Sequence, residues 1–215
     1  MNKQFKCVLI ASIALLFSMN VQALLVSEDS SFGADSITRD TDTGLEWLGL
    51  DYTLTRGYSG VVSQLGPGGT YDGFRLATGA ELETLFYSSA GISSTDASST
   101  RAEIFNLISL VGYTFSAGLG GGAPATFFAS TAFFDDGEDT LLGLASLSVE
   151  FDGSGHYLGQ NVSVLNNIAS PADTLAVGEW SAGWLVRASE VPAPAGIFWL
   201  GLSMLLIGRG RITNS

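Results

Sequence analysis

The chain has 215 residues, and its 21 acidic residues outnumber nine basic ones, which gives a formal net charge of −12. A single cysteine, Cys7, lies near the N-terminus, so the rest of the chain has no thiol for a disulfide, a nucleophile or a zinc ligand. The acidic balance excludes nucleic acid and anionic lipid as partners and favours cations or neutral polar ones.

The first 23 residues have the layout of a secretory signal peptide. Lys3 and Lys6 form a positive start, the apolar core runs from Val8 to Phe17, and small residues lead to Ala23. A buried amphipathic helix is the alternative, but it fits less well because the segment is apolar on every side. We expect passage through the Sec translocon and cleavage by signal peptidase after Ala23.

Residues 24–190 form the expected exported domain. They contain five arginines, no lysine and all 21 acidic residues, a formal charge of −16. This length normally makes one domain with a sizeable core. The chain has 27 glycines among scattered short apolar runs, so turns and strands are favoured over a helical bundle.

A β-hairpin is predicted near the start of this domain. Ile37 on one side, and Leu45 and Trp47 on the other, alternate with polar residues around the turn-forming sequence Asp-Thr-Gly at 42–44. This alternation is typical of two antiparallel strands with one buried face.

Two or three short helices are predicted next, from three amphipathic segments between residues 55 and 112. The first segment is stopped by Gly-Pro-Gly-Gly at 66–69. The other two begin with capping boxes, in which Thr78 and Glu81, or Thr100 and Glu103, satisfy free backbone N–H groups. Their apolar stripes predict core helices in preference to partner-binding surfaces. The stripes consist of Tyr58, Val61, Val62 and Leu65; Leu82, Leu85 and Phe86; and Ile104, Leu107, Ile108 and Val111.

Strands are predicted after the glycine-rich segment that ends near residue 124. In the last of them, Trp184 and Val186 face one side, and Leu185 and Arg187 face the other. The predicted fold class is therefore α+β, a single domain with early helices and later antiparallel strands. The strand-like runs are T-F-F-A-S-T at 126–131, L-L-G-L-A-S-L-S-V-E-F at 141–151 and S-A-G-W-L-V-R-A-S at 181–189.

An acidic loop follows the first of these runs and is the candidate metal site. Four carboxylates surround one glycine there: Asp135, Asp136, Glu138 and Asp139. Oxygen ligands at this density suit Ca²⁺, which takes six to eight of them from a flexible loop. The alternative, a solvated acidic loop that binds nothing, is favoured. No other cofactor is expected.

Three aromatic residues are candidates for stacking on sugar rings: Trp180, Trp184 and Tyr157. The preferred alternative places Trp184 in the core and Trp180 at the entrance to a strand. His156 is the only histidine, and no nucleophile-elbow sequence accompanies it, so the protein is not expected to be an enzyme. Hydrolysis of a glycan by two carboxylates remains a third alternative.

The C-terminal segment 191–215 has three parts. Val191-Pro192-Ala193-Pro194 breaks any preceding helix, an apolar run follows from 195 to 208, and Arg209 and Arg211 lie beyond it. The apolar run is short against the roughly 20 residues that span a bilayer. The arginines are expected to remain on the cytoplasmic side of a transmembrane helix. A buried core helix is the alternative.

This three-part segment resembles the PEP-CTERM sorting signal of Gram-negative bacteria, with Pro192-Ala193-Pro194 in place of the namesake Pro-Glu-Pro. The resemblance implies recognition and processing by exosortase, a membrane-embedded protease and presumed transpeptidase. It also implies a link to exopolysaccharide and biofilm production. The expected route is a precursor anchored in the inner membrane with its domain in the periplasm, followed by delivery to the cell surface or extracellular matrix.

The domain itself resembles a bacterial C-type-lectin-like domain of the type found at the C-terminus of collagen-like adhesins. The resemblance covers about residues 37–188 and implies this fold, with glycans as the ligands of some members. Four segments carry it in order: T-G-L-E-W at 43–47, G-F-R-L-A-T with E-L at 73–82, F-F-A-S-T at 127–131 and G-W-L-V-R at 183–187.

The sequence thus predicts a non-enzymatic protein of the cell envelope or the exopolysaccharide matrix, sorted through its C-terminal segment. A glycan- or calcium-dependent binding module with the same route is the alternative. The sequence identifies no ligand.

Overall fold

A computed structural model describes residues 24–93, 100–118, 125–137, 142–151, 157–169 and 182–190. The predicted signal peptide, the segment 191–215, Trp180, His156, Glu138 and Asp139 lie outside these ranges. Within the described ranges, no helix is long and apolar enough to cross a membrane.

The fold is α+β, as predicted, with two antiparallel sheets, three α-helices and one short 3₁₀ helix, Leu50–Tyr52, among the described residues. The first sheet has the strand order β1-β2-β3-β9-β4, and the second has the order β5-β6-β7-β8. The strands are β1 (Leu25–Ser30), β2 (Gly33–Asp40), β3 (Leu45–Leu48), β4 (Arg75–Leu76), β5 (Phe115–Gly118), β6 (Ala125–Phe134), β7 (Leu142–Phe151), β8 (Tyr157–Ala169) and β9 (Leu185–Ala188). The helices are α1 (Gly57–Val62), α2 (Gly79–Glu83), which continues as a wider turn through Thr84–Ser89, and α3 (Thr100–Val111).

The predicted hairpin is confirmed as β2 and β3. Asp40 is buried at the end of β2, and its carboxylate accepts hydrogen bonds from the backbone N–H groups of Asp42 and Thr43 at 2.9 and 3.3 Å. Gly44 completes the turn with a φ of +69°, a left-handed conformation that glycine adopts without strain. One carboxylate therefore fixes the turn, and the turn fixes the pairing of the two strands.

The three predicted helices are confirmed, and their apolar stripes are largely buried. Thr78 caps α2 in a complete box with Glu81, as expected. The buried stripe residues are Val61, Leu82, Leu85, Phe86, Ile104, Leu107, Ile108 and Val111. The stripes of α2 and α3 form core, so the partner-binding alternative, which concerned these two helices, is wrong. In α1 only Val61 of the predicted stripe is buried, and Val62 is exposed. The box at Thr100 and Glu103 stays a prediction, because the preceding residues lie outside the described ranges.

The core has two parts, one on each face of the first sheet. The larger part packs α2 and α3 between Trp47 on the first sheet and the inner face of the second sheet. The smaller part packs α1 and the segment around Tyr71 against Ile37 and Leu185. Both faces of the first sheet are thus covered, which explains why β9 is apolar on both sides.

Trp184 lies at the centre of the larger part and is fully buried. Its ring makes edge-on contacts with Trp47 and Phe86 at centroid distances of 6.4 and 5.7 Å. Its indole N–H donates to the carbonyl oxygen of Ala145 at 3.3 Å. The proposed glycan stacking by Trp184 is therefore wrong, because no face of this ring reaches solvent, and its predicted alternative, a core position, is confirmed.

The two sheets are joined through the residues that precede β9. The N–H of Phe133 donates to the carbonyl of Ala182 at 3.0 Å, and the N–H of Trp184 donates back to Phe133 at 2.9 Å. On its other side, the carbonyl of Trp184 accepts from the N–H of Ala77 at 2.8 Å. Segments from three distant parts of the chain therefore meet at Trp184.

Both ends of the domain leave the first sheet at the same edge. Across neighbouring strands, Leu25 pairs with Asp40, Asp40 with Leu45, and Leu45 with Ala188. This row crosses the ends of four strands and does not follow an outer strand; we call it the terminal edge. Just beyond it, the N–H of Ser189 donates to the carbonyl of Gly44 at 2.8 Å. The segments before residue 24 and after residue 190 are therefore attached on one side of the domain.

We predict that Gly143→Ala lowers the free energy of unfolding by about 2 kcal/mol, because a Cβ at this position would overlap the ring of Phe134 on the neighbouring strand. The matched control is Gly60→Ala in α1, where the nearest atom would be 3.6 Å away. This control should gain roughly 0.5 kcal/mol from the better helix propensity of alanine. Urea denaturation measures both, and equal effects would contradict the packing described for β6 and β7.

Candidate functional site

Two clefts are candidates for a functional site among the described residues. The first, which we call the α2 cleft, has a volume of about 330 Å³ and lies between the start of α2, the end of β6 and β8. The second, which we call the tyrosine cleft, has a volume of about 420 Å³ and lies between the first sheet and the end of α3. Both volumes fall within the range of small-ligand pockets.

The α2 cleft is organised by the capping box at the start of α2. The carboxylate of Glu81 accepts from the N–H of Thr78 at 2.9 Å and from its hydroxyl at 3.0 Å. Arg75 on β4 donates to the same carboxylate at 2.9 Å. Hydrogen bonding from Arg75, aided by the two groups of Thr78, lowers the pKa of Glu81 to about 2. Glu81 is therefore ionised at neutral pH and belongs to the supporting structure of the cleft.

The predicted acidic loop forms one wall of the α2 cleft. The N–H of Asp135 donates to the carbonyl of Ala77 at 2.9 Å, which ties the loop to the residue before the helix cap. The carboxylate of Asp135 accepts from the N–H of Gly137 at 2.9 Å. Asp136 also borders the cleft, and Glu83 borders it from α2. The loop thus brings two predicted carboxylates and one unpredicted carboxylate to a common opening.

The calcium site itself stays a prediction. Asp135 and Asp136 lie in the described ranges, whereas Glu138 and Asp139 lie outside them. Among the residues that the structure describes, no three potential ligands are grouped closely enough to hold a metal ion. Ca²⁺ takes six to eight oxygen ligands, so Asp135 and Asp136 alone do not complete a site.

The tyrosine cleft combines aromatic rings with hydrogen-bonding groups. Tyr113 is 52% exposed and is held edge-on by Phe128 at a centroid distance of 6.0 Å. Tyr52 is half-buried and contacts Phe32 edge-on at 5.6 Å. The remaining polar side chains of the lining are those of Asp35, Asp51 and Ser109.

Two glycines make room for the carboxylate of Asp51, an exposed residue in the lining of the tyrosine cleft. A Cβ on Gly49 would lie 2.7 Å from the Oδ1 atom of Asp51, and a Cβ on Gly112 would lie 3.1 Å from it. Gly112 also has a φ of +81° directly after α3 ends. Glycine at both positions lets the carboxylate lie close against the backbone and leaves the cleft open above it.

Sequence reasoning missed the tyrosine cleft and selected other aromatic residues. Trp184 is buried, Trp180 is outside the described ranges, and only the backbone of Tyr157 is described, at the start of β8. The cleft forms because the end of α3 packs beside the turn after β3, a contact between segments about 60 residues apart. The only local signal was an exposed tyrosine directly after a glycine at a helix end.

Both clefts lie away from the terminal edge. Strand β3 runs from Leu45 at that edge to Leu48, and the lining residues Gly49 and Asp51 follow directly. Strand β9 begins near Thr78, which borders the α2 cleft, and ends at Ala188 on the terminal edge. At about 3.3 Å per residue, the four residues of β3 or of β9 span roughly 13 Å, and the eight residues of β2 span roughly 25 Å.

No family model, curated protein or solved structure matches this chain.

We predict that Glu81→Gln lowers the free energy of unfolding by about 1 kcal/mol at pH 7, because it removes the charge paired with Arg75 and weakens the cap. The folded-state pKa of Glu81 lies below the usual value of 4.5, so this stabilisation is complete above about pH 4.5 and is lost as the pH falls towards 2.

Urea denaturation of both proteins between pH 7 and pH 2.5 measures the effect. The same substitution at Glu83, two residues further along α2, is the control, and it should have less than half the effect at pH 7. A difference between wild type and Glu81→Gln that does not change with pH would contradict the assignment.

Proposed function

We propose that this is an exported, non-enzymatic protein of the cell envelope or the exopolysaccharide matrix, sorted and processed through residues 191–215. The observation that carries the proposal is the order of Pro192 and Pro194, an apolar run, and then Arg209 and Arg211. This order supports recognition by an exosortase in the inner membrane. The N-terminal segment that ends at Ala23 supports export through the Sec translocon and cleavage by signal peptidase.

The short connection between the folded domain and Val191 supports processing of the C-terminal segment. Ser189 is held by its hydroxyl, which donates to the carboxylate of Glu46 at 2.8 Å, and by its N–H. Glu46 in turn accepts from Arg187 at 2.8 Å. Val191 therefore follows within two residues of the last anchored position. A membrane protease that reads the segment from Val191 onward would meet a short connection to a folded domain.

The position of the terminal edge also supports a membrane-anchored precursor. A signal peptide before Leu24 and a membrane helix after Glu190 would both attach at this edge. The α2 cleft and the tyrosine cleft would then point away from the bilayer, towards the periplasm. The formal charge of −16 on residues 24–190 would hold the domain off an anionic membrane surface.

We further propose that the domain has a C-type-lectin-like fold. Three of the segments that carry the resemblance, at 43–47, 73–82 and 183–187, are far apart in sequence but contact one another in space, and the fourth, at 127–131, lies on β6 just before the contact residue Phe133. Strand β9 pairs with β3 and with β4, and Phe133 on β6 forms a bridge with Gly183. Motifs that converge on one junction are what a shared core requires, so this convergence supports the resemblance.

We predict that Pro192→Ala with Pro194→Ala, or Arg209→Glu with Arg211→Glu, produces an unprocessed and mislocalised precursor. The first pair removes the helix-breaking motif, and the second removes the charges that hold the tail on the cytoplasmic side. Mass spectrometry of each cell fraction measures the processing of both ends.

The chain offers matched controls for both changes. Pro67→Ala in an exposed turn and Arg56→Glu beside α1 make the same chemical changes within the domain, and both proteins should be processed normally. Exported wild-type protein that retains Ser215 would contradict the proposed processing.

The tyrosine cleft favours a second function, the binding of a neutral glycan. Tyr52 and Tyr113 present rings to which the apolar faces of sugars can bind. The carboxylate of Asp51 and the hydroxyl oxygen of Ser109, whose proton is donated to the carbonyl of Phe105, can accept hydrogen bonds from sugar hydroxyls. Asp35 and Asp51 would repel acidic sugars. The predicted Ca²⁺ at Asp135 and Asp136 is a separate site in the other cleft.

We predict that Tyr113→Ala weakens retention on a neutral polysaccharide about tenfold in affinity electrophoresis, because it removes the more exposed ring. Tyr113→Phe should retain most of the binding. Tyr87→Ala, at a tyrosine that is 42% exposed outside the cleft, is the control.

Equal retention of wild type and Tyr113→Ala would contradict glycan binding at this cleft. Two further arms of the experiment test the calcium-binding and the enzymatic alternatives. A Ca²⁺-dependent rise in melting temperature that Asp135→Asn abolishes would support the metal site, and release of reducing sugar would contradict the non-enzymatic proposal.

A further inference from the structure

The exposed side of α3 has no charged residue. The two charged residues of this helix, Arg101 and Glu103, are half-buried in its first turn. A ligand on the exposed side must therefore bind through neutral polar and apolar contacts and not through ion pairs. The exposed residues of the helix are Ala102, Phe105, Asn106 and Ser109.

Two exposed aromatic rings lie along this side of the protein and share one neighbour. Phe105 is 39% exposed, and its ring contacts Phe128 edge-on at a centroid distance of 5.7 Å. Tyr113 is 52% exposed and contacts the same ring edge-on at 6.0 Å. The two exposed rings therefore lie within about 12 Å of each other, which is also the rise of eight residues along an α-helix. Because Phe128 packs against the larger part of the core, it holds both rings in a fixed arrangement.

The exposed side of α3 continues directly into the tyrosine cleft. Ser109 and Tyr113 both line that cleft. Ser109 lies one helical turn after Phe105, and its hydroxyl donates to the carbonyl of Phe105 at 2.8 Å. The oxygen of this hydroxyl can therefore accept a hydrogen bond at a position between the two rings along the chain. We call Phe105, Asn106, Ser109 and Tyr113 the α3 row.

The α3 row has the chemistry that a neutral sugar chain requires. A sugar ring has apolar C–H faces that pack on aromatic rings, and it has hydroxyl groups that bond to amide and hydroxyl side chains. Phe105 does not line the tyrosine cleft and precedes Tyr113 by about two helical turns. A single sugar in the cleft would not contact Phe105, whereas a chain of several sugars would contact both.

A lipid membrane and a second copy of this chain fit the α3 row less well. Phe105 is the one large apolar residue among the exposed residues of α3, so the helix lacks the broad apolar face with which amphipathic helices enter a bilayer. The formal charge of −16 on residues 24–190 repels both anionic lipid and another copy of the domain. A neutral polysaccharide meets neither obstacle.

We propose that the tyrosine cleft and the α3 row together bind an extended neutral polysaccharide, with one sugar at Tyr52 and Tyr113 and a further sugar on Phe105. The row follows a straight helix, which favours a ribbon-like chain, a β-1,4-linked glucan or mannan, over a coiled one. This inference rests on the second proposed function, glycan binding in the tyrosine cleft, and adds the length and shape of the ligand. Because the second contact is intramolecular once the first is made, affinity increases with chain length.

Titration calorimetry of the full chain with disaccharides and hexasaccharides of both β-1,4-linked series tests the proposal. Wild type should bind the hexasaccharide of one series about tenfold more tightly than its disaccharide, because only the longer chain contacts Phe105. Phe105→Ala should remove this difference and leave the affinity for the disaccharide unchanged.

Three further variants separate loss of sugar stacking from loss of folding. Phe105→Leu keeps an apolar side chain against Phe128 and removes the aromatic ring, so it should lose the dependence on length as Phe105→Ala does. Phe105→Tyr keeps the ring and should retain that dependence. Tyr113→Ala should weaken binding of both the disaccharide and the hexasaccharide, because it removes a ring of the cleft itself.

The proposal is overturned if wild type binds the hexasaccharide no more tightly than the disaccharide, or if Phe105→Leu retains the dependence on length. Tyr113→Ala can still weaken disaccharide binding in both cases, so glycan binding in the cleft would stand while the extended ligand fails. Absence of binding to both series also overturns it, and retention on another neutral polysaccharide then decides whether the cleft binds glycans. Binding to phosphatidylcholine vesicles that Phe105→Leu abolishes, without binding of any oligosaccharide, would assign the α3 row to a membrane surface instead.

Discussion

The structure depends on the insertion of the last strand, β9, between β3 and β4, which come from the first third of the domain. Trp184 at its start fills the centre of the core, and its backbone binds both Ala77 and Phe133. Without β9 and the residues before it, β3 and β4 would each lose a partner strand, and the two sheets would lose the bonds that Ala182 and Trp184 make with Phe133. Residues 24–190 contain no cysteine. The pairing of β9 therefore links distant parts of the chain without the disulfides that many small secreted domains use.

The same pairing determines where function can be located. Because β9 runs antiparallel to β3, the chain leaves the domain beside the point where it enters, and both predicted membrane segments would attach at the terminal edge. The clefts form at the other end of the sheet, where the connecting segments are longest. A ligand in the tyrosine cleft and a protease at Val191 would then act on opposite ends of one rigid domain, so sorting and binding would not obstruct each other.

The parts of the fold that could be predicted are those set by neighbouring residues. The turn at 42–44, the capping box of Thr78 and Glu81, and the alternation along β9 each follow from a few adjacent side chains. Strands β1, β4, β5 and β8 were not predicted, because they are short or do not alternate strongly between polar and apolar residues, and their pairing partners supply the order. The tyrosine cleft was also missed, since Asp51 and Tyr113 meet only through packing of α3. The α2 cleft was found in part, through the acidic loop, whereas Glu83 faces it only because β6 ends beside α2.

Hydrogen exchange measured residue by residue tests most directly whether β9 is an integral part of the core. The account predicts that the amides of Trp184, Ala77 and Phe133 exchange only through global unfolding, with the same free energy of opening as the central residues of β6 and β7. It would be contradicted if the amide of Trp184 exchanged through a local opening of much lower free energy while β6 and β7 stayed protected. In that case the domain would be complete without β9, and the terminal edge would not be a fixed feature of the fold.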